Sequence, residues 1–158
     1  MLKRIALAAF ALALAAPVLA QNPRGEAKAT VSGKTVSIDY GRPSLKGRDM
    51  LAQAKVGTPW RMGADAATML TTEADLSFGD AKVPRGEYIL TATKVDADSW
   101  QLNVLNTDRT KVADIPLTPA KVADNVEQFT VELQGQGDKG QFKMVWGNTA
   151  LSTAFTGK

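Results

Sequence analysis

The chain has 158 residues, 44% of them hydrophobic, with neither cysteine nor histidine and a formal charge of +3. A chain of this size can bury a core by itself. The missing residue types exclude disulfide staples, cysteine nucleophiles, serine–histidine triads and zinc, copper or haem sites built on His or Cys.

Residues 1–20 read as a secretory signal peptide: Lys3 and Arg4, an apolar run from Ile5 to Ala16, then Pro17-Val18-Leu19-Ala20 with small residues at a cut after Ala20. The run is 12 residues long, well short of the roughly 20 that cross a bilayer. The absence of cysteine also removes a lipid anchor. The mature chain from Gln21 is therefore expected to be exported to the periplasm or the extracellular space, as one domain over 21–158 with no membrane span. Losing Lys3 and Arg4 takes the 19 basic residues to 17 against 16 acidic ones, a net near +1. The remaining cations are scattered, so no nucleic-acid partner is expected.

Beyond Gln21, short runs alternate apolar and polar residues and are broken every eight to twelve residues by Gly, Pro, Asp or Asn. That pattern predicts an all-β fold, a single antiparallel β-sandwich of the jelly-roll or Ig-like kind with one short helix. Ala27-Ala29-Val31 and Val36-Ile38-Tyr40 alternate around a Ser32-Gly33-Lys34 turn and read as a hairpin. Further strands are expected over Thr68 to Glu73, Asp75 to Phe78, Glu87 to Lys94, Trp100 to Asn106, Asp114 to Thr118, Gln128 to Gln134, Gln141 to Trp146 and Leu151 to Phe155. A helix is expected only over Arg48 to Val56. Leu76, Phe78, Leu102, Val104, Phe129, Val131, Leu133, Phe142, Met144 and Trp146 are the expected inward residues.

Three loop motifs read as turns. Gly33-Lys34-Thr35 matches the end of a P-loop, but Lys28 stands where the first glycine belongs and a strand follows. Asp96-Ala97-Asp98-Ser99 begins like a calcium loop, yet Trp100 occupies the fifth position and the glycine of position six is absent. Gly135-Gln136-Gly137-Asp138-Lys139-Gly140 lies between strands and lacks the helix that would make it a phosphate cradle. No metal and no cofactor is expected, and no residue is assigned a catalytic role.

Two stretches are candidates for ligand binding. In Trp60-Arg61-Met62-Gly63-Ala64-Asp65 the guanidinium of Arg61 can take a carboxylate or phosphate in two prongs, with Trp60 as a stacking surface. The structural alternative pairs Arg61 with Asp65 or Asp39 and makes Trp60 a plug at one end of the sandwich. In Asp39-Tyr40-Gly41-Arg42-Pro43-Ser44-Leu45-Lys46-Gly47-Arg48 a strand runs into a polar, basic loop, so Asp39, Tyr40, Arg42 and Arg48 join the candidates; the alternative is a solvated loop.

These stretches carry a resemblance. Asp39-Tyr40-x-Arg42-Pro43-x-x-Lys46-Gly47-Arg48, Trp60-Arg61-x-Gly63-Ala64, and Val83-Pro84-x-Gly86-x-Tyr88 followed by Trp100 and Asn106 closely resemble the exported bacterial family called domain of unknown function 2911. The order and spacing match from about Ala27 to Trp146. The resemblance implies a signal-bearing, mostly β envelope protein of a family with no established activity. The chain departs from the family in two places. Asp65-Ala66 replaces an Asn-Glu, so no catalytic glutamate carries over, and an aromatic-rich segment is shortened to Thr107-Asp108-Arg109-Thr110-Lys111.

The function expected is a non-catalytic binding or envelope-support module for a small molecule, carbohydrate or peptide. One alternative is a carboxylate-based hydrolase of envelope carbohydrate, which needs two facing acids, Asp39 and Asp65 being the pair to nominate. Another is an assembly protein that offers a strand edge to a partner.

Overall fold

The computed structural model describes residues 21–158; the signal-peptide reading concerns residues 1–20 and lies outside them. The strands are β1 (Arg24–Val31), β2 (Lys34–Gly41), β3 (Pro59–Trp60), β4 (Thr68–Thr72), β5 (Leu76–Phe78), β6 (Ala81–Val83), β7 (Gly86–Lys94), β8 (Trp100–Leu105), β9 (Lys111–Gln136) and β10 (Lys139–Gly157). The protein is all-β, as the alternation predicts. Its strands form one antiparallel path in the order β1-β2-β4-β7-β8-β9-β10-β5-β6, with β3 pairing β7 beside it.

The expected hairpin of β1 and β2 forms, with Ala27 opposite Ile38 and Ala29 opposite Val36; its turn is Ser32-Gly33, and Lys34, expected in the turn, pairs with Val31. One face of β7 and β8 puts Leu90, Ala92, Leu102 and Val104 inward, where they meet Ile115 of β9 in a continuous buried cluster. The sheet doubles over through β9, whose first residues pair with β8 and whose remainder pairs with β10. Its far half thus returns to the first strands. Phe129 donates its amide to Pro43 at 2.9 Å, Leu45 donates to Glu127 at 3.0 Å, and Ser32 at one hairpin tip donates to Gly137 at the other at 2.7 Å.

The structure corrects three sequence expectations. Asp114 to Thr118 and Gln128 to Gln134 belong to one 26-residue strand, β9. Its middle, from Thr118 to Gln128, has no buried residue and carries Pro119, so it lacks the alternation that marks a strand, yet Pro119 and Ala120 still pair with Leu151 and Ala150. Gln141 to Trp146 and Leu151 to Phe155 likewise belong to β10, which continues through register shifts on either side of Gly147. The helix is a single turn, α1 (Met50–Gln53), capped by Asp49, whose carboxylate accepts from the Ala52 amide at 3.1 Å. It stops early because Ala54 is extended and Val56 bridges to Lys94.

The outer face of β7, β8 and β9 carries a polar chain. Thr93 donates to Asn103 Oδ1 at 2.7 Å, Asn103 Nδ2 donates to Asp114 at 2.7 Å, and Lys111 Nζ donates to the other Asp114 oxygen at 2.8 Å. Partial burial pushes the Asp114 carboxyl up, but the hydrogen bonds from Lys111 and Asn103 and the charge of Lys111 outweigh it and hold the pKa below the ordinary aspartate value. A depressed folded pKa contributes stability that is complete above the unfolded value and lost as pH falls through the folded one. Acidification through that window should therefore lower the urea midpoint more for the wild type than for Asp114→Asn. Equal slopes for the two proteins would refute the assignment.

Candidate functional site

The two candidate stretches meet where β2 leaves the sheet and where the chain bulges between β3 and β4. Pro59 and Trp60 pair with Thr93 and Ala92 of β7, and Thr68 resumes pairing with the same strand at Leu90. The bulge of residues 61–67 is pressed against β2. A Cβ on Gly63 would stand 2.8 Å from the Gly41 carbonyl oxygen, and one on Gly41 would run into the Ala64 carbonyl. Only two glycines allow backbones this close.

The bulge also holds unusual backbone angles. Met62 and Asp65 take left-handed φ of 54° and 63°, conformations that cost a residue with a Cβ roughly 1–2 kcal/mol each. Met62 is fully buried, and burial of such a side chain returns about 1.5–3 kcal/mol. Its carbonyl accepts a 2.6 Å bond from the Thr68 hydroxyl. The core thus sets this turn.

Three of the seven candidate residues turn inward. Trp60 stacks on Trp146 with ring centres 5.6 Å apart at 16°, and meets the edge of Phe129 at 5.1 Å. Tyr40 is buried, packs edge-on against Phe129 and donates its hydroxyl to the Val131 carbonyl at 3.4 Å. Arg42 donates from Nε to the Phe129 carbonyl at 3.3 Å and from Nη2 to the Thr130 hydroxyl at 3.0 Å, tying the end of β2 to β9. These three side chains hold the sheet closed over β9.

Four candidates face solvent. Arg61 is exposed and donates one bond, from Nη1 to the carbonyl of Asp65 at 3.0 Å. Asp65 accepts from the Asn22 amide at 3.0 Å. Asp39 is exposed and ion-paired with Arg24. Arg48 stands apart at a cleft of about 230 Å³ that Asn125, Glu127 and Asn148 also line.

Arg24 is the residue the sequence analysis missed. Besides pairing with Asp39, its guanidinium reaches the carbonyls of Ala64 at 3.4 Å and Ala66 at 3.3 Å, so it lies between Asp39 and the loop that carries Asp65. The hairpin register, Ala27 opposite Ile38, puts Arg24 opposite Gly41 and diagonal to Asp39; the alternation in the two strands is the signal in the sequence that points toward this pairing. The remaining motif residues are structural. Tyr88 donates its hydroxyl to Pro84 at 2.6 Å, with burial first and the nearby Asp75 charge second raising its pKa, and Asn106 donates to Thr110 at 2.9 Å across the β8–β9 turn.

Among the described residues no group of three or more Asp or Glu side chains converges as a metal site, and no helix is long and apolar enough to cross a membrane. No curated protein and no solved structure is significantly similar to the chain. The interlock of Gly41 with Gly63 and of Trp60 and Arg42 with β9 falls within residues 22–155, which match the family described as "Protein of unknown function (DUF2911)", and the chain belongs to that family.

Proposed function

We propose that the protein is an exported, non-catalytic binding module of the cell envelope, with Arg61 as its contact for a carboxylate or phosphate on a small molecule, carbohydrate or peptide. The observation that carries this reading is the exposed Arg61 guanidinium, mounted on a turn whose left-handed residues are held by a buried methionine and the Gly41–Gly63 contact. A contact group on a rigid turn loses little freedom on binding. Strained, over-determined backbone of this kind is also common at ligand clamps.

The rival readings have less support. A hydrolase pair needs two carboxyls facing one substrate, whereas Asp39 is ion-paired with Arg24 and Asp65 accepts the Asn22 amide. Strand addition needs a long flat edge; β6 is three residues, β10 carries register shifts on either side of Gly147 that spoil its flatness, and β1 carries Arg24, Glu26 and Lys28.

A thermal-shift screen of the protein against acidic glycans, acidic peptides and phosphorylated sugars is expected to find a stabilising ligand. At a hundredfold excess over Kd the gain is about 2.7 kcal/mol. Arg61→Ala should abolish the shift while leaving the unliganded melting temperature nearly unchanged. A hit that Arg61→Ala leaves intact would remove the site from Arg61.

A further inference from the structure

A second cleft, of about 390 Å³, opens between α1, the β7–β8 turn and the middle of β9 and β10. Its volume lies in the range of small-molecule sites, roughly 300–1,000 Å³. Leu51 and Trp100, both nearly buried, supply apolar wall, and Lys94 and Lys121 line it beside them. Among the described residues neither lysine has an ion-pair partner. Lys94 Nζ donates to the Ala52 carbonyl at 3.4 Å and Lys121 Nζ to the Thr149 hydroxyl at 3.3 Å, so both ammonium charges rest on neutral oxygens.

The neighbours of Lys94 add an independent observation. Val56 and Val95 are the exposed large hydrophobic residues of the described chain, at 56% and 48% exposure, and both adjoin Lys94. Val95 follows Lys94 in sequence, and Val56 bridges to it across the sheet. Exposed apolar side chains next to a residue that lines a cleft mark a surface that gains from being covered.

We propose that this cleft binds a carboxylate joined to an apolar chain: the carboxylate lies between Lys94 and Lys121, and the chain runs over Trp100 and Leu51 toward the exposed valines beside Lys94. Asp49 and Asp98 also line the cleft. They narrow the ligand class. Asp49 is engaged in capping α1, and together the two acids cancel the net charge of the lysines. A polyanion would find no positive field there, whereas a single carboxylate can still take local charge-assisted bonds from each ammonium. The ligand is therefore singly charged and amphiphilic, and it comes either from an acyl chain or from the free C-terminus of an apolar peptide.

Titration calorimetry with octanoate and with a blocked-N-terminus trileucine distinguishes the two sources, with octanol and the trileucine amide as uncharged counterparts. At least one free acid is expected to bind, and its uncharged counterpart to bind at least about tenfold more weakly, the effect of losing one charge-assisted bond. Lys94→Met with Lys121→Met should weaken the acid by a similar factor or more. Lys121→Met alone, at an exposed residue bonded only to Thr149, should weaken it in the same direction without moving the melting temperature of the free protein. Arg61→Ala should leave this binding untouched, which keeps it distinct from the Arg61 contact. The proposal is overturned if neither acid binds at about 10 mM, if octanol and the amide bind as well as the acids, or if the lysine variants bind as the wild type does.

Discussion

Gly41→Ala is expected to destabilise the protein by about 3–5 kcal/mol, a large part of the 5–15 kcal/mol that holds a typical domain. The new methyl group would run into the Ala64 carbonyl and stand 2.9 Å from the Ala64 amide nitrogen. Backbone cannot move aside as the end of a flexible side chain can. The bulge would have to lift, breaking the Arg24 bonds to Ala64 and Ala66 and disturbing the Thr68 bond to Met62. Urea unfolding should show the loss directly, and the melting temperature should fall by about 10 °C or more. A midpoint within about 1 kcal/mol of the wild type would mean the two backbones do not touch as described.

Phe129→Ala should cost a comparable 3–5 kcal/mol. Phe129 is 1% exposed and is the ring on which Tyr40, Trp60 and Trp146 converge, at 5.6, 5.1 and 5.7 Å between centres. Truncation removes the buried area, leaves a cavity the rigid neighbours cannot fill, and forfeits edge-on contacts worth about 0.5–1.5 kcal/mol each. Its backbone also bridges Pro43 and Arg42, so the closure of β2 over β9 would loosen with it. Loss of near-ultraviolet dichroism from Trp60 and Trp146 should accompany the drop in urea midpoint, whereas Phe129→Leu should cost only about 1–2 kcal/mol. If alanine were tolerated as well as leucine, the aromatic cluster would not be the seam of the fold.

The strands that could be read in advance are those with one wet face. In β2, Val36, Ile38 and Tyr40 are buried while Asp39 is exposed, and that contrast is written in the residues themselves. The long β9 could not be read whole because its middle has no dry face, and pairing with β10 overrides what its prolines suggest. Single-turn α1 falls to the same cause. The helical pattern of Arg48 to Val56 yields to the bridge between Val56 and Lys94.

The candidate site divides along similar lines. Its chemistry was legible: two short stretches rich in Arg, Asp and aromatic residues, with glycines at Gly41 and Gly63. The direction of each side chain was not. Trp60 becomes a plug because Trp146, distant in the chain, offers it a parallel ring, and Arg42 becomes a tie because β9 passes within reach.

By itself the sequence determined the all-β class, the first hairpin, the absence of histidine and cysteine chemistry, and the stretches where the family resemblance lies. These follow from residue type and local alternation, which need no knowledge of distant neighbours. Tertiary structure alone decided the strand order, the union of predicted strands into β9 and β10, the inward packing of Trp60 and Tyr40 against the exposure of Arg61, and the cleft beside α1. Each depends on contacts between residues far apart in the chain, and which of those contacts form is settled by packing the whole core at once.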